Sequence, residues 1–206
     1  MNTDLFSYRT LQRAGKGLYK EKNSKFIAFA YPVDNEDEIK EHLEKLRKEF
    51  FDARHHCFAW VLGPDKKQFR AFDDGEPNHS AGDPILGQIR SRDLTHTLVI
   101  VVRYFGGTKL GVSGLIAAYK NAAALALDDA GCVEKQIFDK ITLEYKYDDT
   151  TTVMRLVREF DLHIVEQDFT DSCRMRVQVP RRVSESFFNR LSLILSAGAD
   201  IRFTRN

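Results

Sequence analysis

Residues 96–104, His-Thr-Leu-Val-Ile-Val-Val-Arg-Tyr, form a nearly unbroken apolar and β-branched run that stops at Gly106-Gly107 and gives way to an alanine- and leucine-rich stretch, residues 110–130, free of proline. A strand of that composition is stable only where at least one of its faces is covered. The stretch after it has high helix propensity and ends at Gly131, the residue type that closes helices in left-handed backbone. Strand, glycine loop and helix in immediate succession predict a layered fold in which helices lie on a sheet.

The rest of the chain fits that scheme. Residues 25–33 read as an aromatic-rich strand halted at Pro32. Asp34 or Asn35 then caps an amphipathic helix whose apolar stripe is Ile39, Leu43, Leu46 and Phe50. Residues 56–62 and 68–72 read as a hairpin across Gly63-Pro64-Asp65. An acidic loop, residues 73–84, precedes a short helix at 85–90. Beyond Gly131 the pattern becomes strand 140–147, helix 151–160, strands 162–168 and 173–179, helix 182–196 and strand 200–205. That order is βαββαβ, the ferredoxin-like unit. The chain is therefore expected to be α+β, with one domain at 1–135 and a second, ferredoxin-like one at 136–206.

Composition narrows the function classes. The net charge of the 206 residues is only +1, so any contact with nucleic acid has to come from local patches. Asp4, Arg9, Arg13 and Lys16 interrupt the first twenty residues, unlike the apolar core of a secretion signal, and the expected compartment is the cytoplasm. No apolar run approaches the roughly 20 residues of a membrane helix. Cys57, Cys132 and Cys173 are odd in number and widely spaced, which argues against a disulfide framework or a zinc knuckle.

Three groups of residues are candidates for function. In the first, Arg103, Gly106, Gly107, Lys109, Gly111, Ser113 and Gly114 surround a helix start. There free backbone N–H groups and the helix dipole favour an anion. Val112 and Ser113 stand where a Walker loop has Lys-Ser/Thr, so a nucleotide P-loop is unsupported. The glycines serve equally well to permit a tight turn and close packing. In the second, His56, Asp73, Asp74 and Glu76, with His55 and His79 near in sequence, line a candidate cleft able to supply acid/base groups or metal ligands. Adjacent residues of an extended stretch face opposite ways, however. An acidic turn with capping roles for Asp74 and Ser80 uses the same residues, and no zinc site is expected because convergent ligands are too few. In the third, period-two alternation in the tail puts Cys173, Met175, Val177 and Val179 inward with Ile141, Leu143, Tyr145, Tyr147, Ile201 and Phe203. Lys140, Lys146, Arg174, Arg176 and Arg202 are left on the helix-free face together with Thr142, Glu144 and Gln178, and the cations gather there if the first and third strands are central. That face lacks the stacking aromatics of RNA-recognition sheets, so contact with an RNA backbone is the better reading; a solvated polar face is the alternative.

Residues 53–60, Ala-Arg-His-His-Cys-Phe-Ala-Trp, the loop Asp-Asp-Gly-Glu-Pro at 73–77 and the stretch Arg-Tyr-Phe-Gly-Gly-Thr-Lys-Leu-Gly-Val-Ser-Gly-Leu at 103–115 together strongly resemble the IMPACT/YigZ family. The resemblance is close over residues 24–127, and the βαββαβ tail resembles the extra domain of the bacterial YigZ branch. It implies a first domain built like a domain of a small-subunit ribosomal protein and of GHMP kinases, although the serine-rich phosphate loop of those kinases is not reproduced. It also implies a tail similar to domains of elongation factor G and a role near translation. The expected function is translation-linked regulation through binding of the ribosome, RNA or another polyanion, with no cofactor. The alternatives are an enzyme acting on a phosphorylated small molecule at the cleft of Asp73 and Lys109, or an adaptor that binds a translation-factor protein.

Overall fold

The computed structural model describes residues 5–169 and 173–205. It is an α+β structure that groups into two compact units. One runs from Tyr8 to Lys135; the other comprises Gln136 onward together with residues 5–7.

The first unit contains β1 (Ser7–Leu11), β2 (Gly15–Glu21), β3 (Ser24–Pro32), α1 (Glu36–Glu49), β4 (His55–Leu62), β5 (Gln68–Phe72), α2 (Gly82–Ser91), β6 (Thr97–Tyr104), α3 (Gly111–Ala130) and β7 (Cys132–Gln136). Five strands form an antiparallel sheet in the order β2-β3-β6-β4-β5, while β1 and β7 pair as a separate ribbon. The apolar run of β6 lies at the centre because both of its faces are covered. Val99 and Val101 pack with Phe26, Cys57 and the α2 and α3 residues Ile85, Ile89, Ala118 and Tyr119. Leu98, Ile100 and Val102 pack on the opposite face with Phe29, Phe58, Trp60 and the α1 residues Ile39 and Leu46. Asn35 caps α1: its side chain accepts from the N–H groups of Asp37 (3.0 Å) and Glu38 (2.9 Å), while Glu38 reaches back to Asn35 and to the Asp34 N–H.

Strands β1, β2 and β7 are absent from the sequence-based expectation. Residues 15–21 carry two glycines and little β-branched character, and their place is set by tertiary packing. A Cβ at Gly15 would lie 2.3 Å from the Ala126 carbonyl oxygen, so only a glycine lets β2 run this close to the alanine-lined side of α3.

The second unit is the expected βαββαβ: β8 (Phe138–Tyr145), α4 (Thr150–Glu159), β9 (His163–Phe169), β10 (Cys173–Pro180), α5 (Arg181–Ser196) and β11 (Ile201–Arg205), with sheet order β11-β8-β10-β9. The first and third strands are central neighbours, with Cys173 opposite Tyr145 and Val179 opposite Asp139. Cys173, Met175, Val177 and Val179 are buried with Ile141, Leu143, Tyr145 and Ile201. One inward assignment is corrected. Tyr147 has left the strand for a short 3-10 turn, residues 147–149, and is 78% exposed. Phe203 faces the helix side but, on the edge strand, stays 41% exposed against Phe188. No helix among the described residues is long and apolar enough to cross a membrane.

Candidate functional site

Strand β6 ends at Tyr104, and the loop from Phe105 to Leu110 leads into α3. Its glycines divide their work. Gly106 N–H donates to Ser24 Oγ at 3.0 Å, and a Cβ there would sit 2.1 Å from the Asn23 carbonyl carbon, so Gly106 serves close packing. Gly107 (φ 88°) and Gly111 (φ 74°) hold the left-handed backbone that swings the chain into the helix. Among the described residues no side chain caps the N-terminus of α3, and its first turn carries no acid. The leading N–H groups of a long helix therefore keep their positive end uncompensated by protein charge.

Beside that terminus lies a depression of 470 Å³. Arg54, His55, Arg103 and Lys109 supply its basic wall, Phe105, Leu110, Val112 and Leu115 its apolar one, and Glu76 and Pro77 close it. Antiparallel pairing assembles the basic wall: His55, at the start of β4, is opposite Arg103, near the end of β6. Neither Arg54 nor Lys109 pairs with a carboxylate among the described residues. Arg103 is 7% exposed; its Nη1 lies 2.5 Å from Glu76 Oε1, while its Nε, itself shielded from solvent, has no hydrogen-bond partner among the described residues. The guanidinium sits 5.4 Å from the Phe26 ring centroid and 5.7 Å from that of Phe105. Glu76 Oε1 also accepts from the Tyr119 hydroxyl at 2.8 Å. Burial pushes the Tyr119 hydroxyl and the neighbouring Cys57 thiol far above their ordinary values, so Cys57 is an inert core thiol. Sγ of Cys57 lies 3.0 Å from the Asp73 carbonyl oxygen and 3.3 Å from the Tyr119 hydroxyl.

Of the residues assigned to a cleft from sequence, Glu76 alone lines the depression; His56, Asp73 and Asp74 do not. The Asp73 carboxylate accepts from the N–H groups of His79 (2.9 Å), Ala81 (2.9 Å) and Gly82 (2.8 Å), fastening the loop to the start of α2. The capping role considered for Asp74 and Ser80 thus belongs to Asp73. Asp74 faces β4: its Oδ2 accepts from the His56 N–H at 2.7 Å, and its carbonyl accepts from His55 Nδ1 at 2.9 Å. His56 is buried, and that burial pushes its imidazole below the ordinary value. Of the glycine-loop group, Arg103, Lys109 and Gly111 line the depression, whereas Gly106, Gly107, Ser113 and Gly114 do not. Among the described residues no three His, Cys, Asp or Glu side chains converge as metal ligands. Arg54, Phe105 and Tyr119 are the site residues that pattern reading left out, whereas His55, named beside the acidic loop, does line the depression. Arg54 and Phe105 carry a signal only in hindsight, each adjoining a strand end that β4–β6 pairing brings together.

The helix-free sheet face of the second unit is less basic than the alternation suggested. Arg174 donates to Glu144 at 2.7 Å, Arg176 pairs with Glu166, and Lys146 lies 2.7 Å from Asp200. Lys140 shares a depression of 680 Å³ with Arg174 and Arg176, and Arg202 shares a separate one with Lys146.

Residues 22–127 match the model of the Impact N-terminal domain. The chain is 30% identical to the IMPACT family member YvyE of Bacillus subtilis, over 96% of this chain and 91% of that one. It is 35% identical to the IMPACT family member YigZ of Escherichia coli, over 83% and 85%. A crystal structure described as that of a hypothetical protein superposes with a TM-score of 0.71 at 31% identity, covering 96% of both chains. Because the matching segment holds β4, the acidic loop and the glycine loop, and the full-length likeness extends through the second unit, the chain belongs to the IMPACT family.

Proposed function

We propose that the protein is a translation-linked regulator that binds RNA, free or on the ribosome, through the depression at the start of α3. The observation that carries this reading is the meeting of an uncapped helix N-terminus with two cations, Arg54 and Lys109, that no carboxylate neutralises among the described residues. The translation link rests on the likeness of its motifs to a family with members that act near translation. The helix-free sheet face supplies a weaker contact, since Arg174 and Arg176 are already held by Glu144 and Glu166. An enzyme working through Asp73 or Asp74 fits less well, because both carboxylates are spent on backbone amides.

The test is a salt series of binding to ribosomes and to generic single-stranded RNA. Each phosphate contact on a single strand adds about 0.7 to the slope of log K against log salt. Lys109→Ala and Arg54→Ala should each lower that slope by about 0.7, and the Arg174→Ala/Arg176→Ala double variant by less than their sum. Binding that ignores both salt and these changes overturns the reading and favours an adaptor contacting a protein.

A further inference from the structure

We propose that a row of cations across one end of the five-stranded sheet, Lys20 and Lys25 continuing to Arg54, is a track for the sugar–phosphate backbone of RNA, which rests on and deepens the RNA-binding reading. Strand register builds the row. Lys20 of β2 is directly opposite Lys25 of β3, and Lys25 is in turn opposite Tyr104 of β6. His55 is opposite Arg103, so Arg54, one residue earlier, reaches the level of Tyr104, and the two line one depression. Neighbouring strands lie about 4.8 Å apart, so the row runs about 14 Å from β2 to β4.

The facing of Lys20 and Lys25 points to a ligand. Like charges directly opposite one another destabilise a sheet, and both lysines are exposed without a carboxylate partner among the described residues. Their side of β2 is open: Leu18, two residues before Lys20 and so on the same face, is 50% exposed. Glu21 lies on the other face, where it accepts from the Tyr19 hydroxyl at 3.2 Å. Asp52 accepts from the Tyr104 hydroxyl at 2.6 Å and pairs with none of the three cations. Lys22 adds a charge in the β2–β3 turn, which it makes with Asn23 in left-handed backbone (φ 44° and 64°). A repulsion kept in the folded chain without a counter-charge of its own is complementary to a line of negative charge, and a phosphate backbone supplies one without regard to sequence. The row also adjoins the depression at the start of α3. Arg54 belongs to both, and the bond from the Gly106 N–H to Ser24 Oγ ties the glycine loop to the residue before Lys25.

The test is Lys20→Glu, which turns the like pair into an opposite one, so that stability and binding should move in opposite directions. In a urea titration of the full chain followed by Trp60 fluorescence, the midpoint should rise by about 0.1–0.5 M, as a cross-strand charge pair allows. Affinity for a generic single-stranded RNA at low salt should fall at least about fivefold, and Lys25→Ala should lower the slope of log K against log salt by about 0.7. Lys67→Glu makes the same change of net charge in the turn between β4 and β5, at the far end of the sheet, and should leave affinity within about twofold. RNA affinity unchanged in both Lys20→Glu and Lys25→Ala, an equal loss with Lys67→Glu, or displacement of the RNA by polyglutamate at matched charge would each overturn the proposal. A midpoint that stays or falls with Lys20→Glu shows that the lysines do not repel and overturns it as well. Loss of RNA with Lys109→Ala but with neither row variant confines RNA to the depression and leaves the broader reading standing. Absence of RNA binding by the unaltered chain removes both.

Discussion

Removing the Glu76 carboxylate while leaving Arg103 in place should strip a buried guanidinium of its counter-charge. The Arg103 and Glu76 side chains are only 7% and 4% exposed, so water cannot replace the lost partner. Breaking one side of a buried pair costs about 3–5 kcal/mol, and Tyr119 loses its acceptor as well. For Glu76→Leu, with a urea slope near 2 kcal/mol/M, that corresponds to a fall in midpoint of about 1.5–2.5 M. The sole tryptophan, Trp60, is buried in β4 of the same unit, so its fluorescence reports the unfolding of this unit rather than of the ferredoxin-like one. Glu76→Leu/Arg103→Met removes both charges and should regain at least about 2 kcal/mol of the loss. If the single variant costs under about 1 kcal/mol, or the double variant is no more stable than the single, then the pair is not the anchor its geometry suggests.

Three other outcomes are expected. Asp73→Ala frees three backbone N–H groups at the start of α2 and should cost about 1–2 kcal/mol or more, read from the same Trp60 transition. Gly106→Ala pushes a methyl into the Asn23–Ser24 backbone and should cost about 1–3 kcal/mol, also read from the urea midpoint. Burial, reinforced by Arg47, holds His56 below its usual 6.5, so below that pH the unfolded chain binds the extra proton. Stability of the first unit should therefore rise with pH up to about 6.5 and then level off; His56→Gln should reduce that slope, leaving the part due to His42, which burial also shifts downward.

Periodicity made much of this fold legible. β6 announces itself because both of its faces are covered, and the alternation in β10 survives because one face packs on two helices. Strand β2 was illegible for the opposite reason: its glycines report a close approach by α3, a contact more than a hundred residues away in sequence that no local pattern encodes. At the site, the glycine loop and Lys109 could be read from the chain, whereas the partnership of Arg54 with Phe105 depends on how β4 and β6 align. Likewise, alternation placed Arg174, Arg176 and Glu144 on one face correctly but could not set Glu144 directly opposite Arg174 or bring Glu166 beside Arg176, because cross-strand neighbours are a matter of register.

The ribbon of β1 and β7 gives the first unit ends that meet. Beyond the paired strands, the Gln12 N–H donates to the Gly131 carbonyl at 3.2 Å and the Arg13 N–H to that of Ala130 at 3.3 Å. Just outside the ribbon, the Phe6 carbonyl accepts from the Ile137 N–H at 2.8 Å, so the flanking chain is drawn together as well. Everything between behaves topologically as a cassette hung from a seam: two cuts on neighbouring strands release it with adjacent termini, and the gap left behind can be spliced by a short bridge. A seam of that kind is where one module can be grafted into another without stretching either.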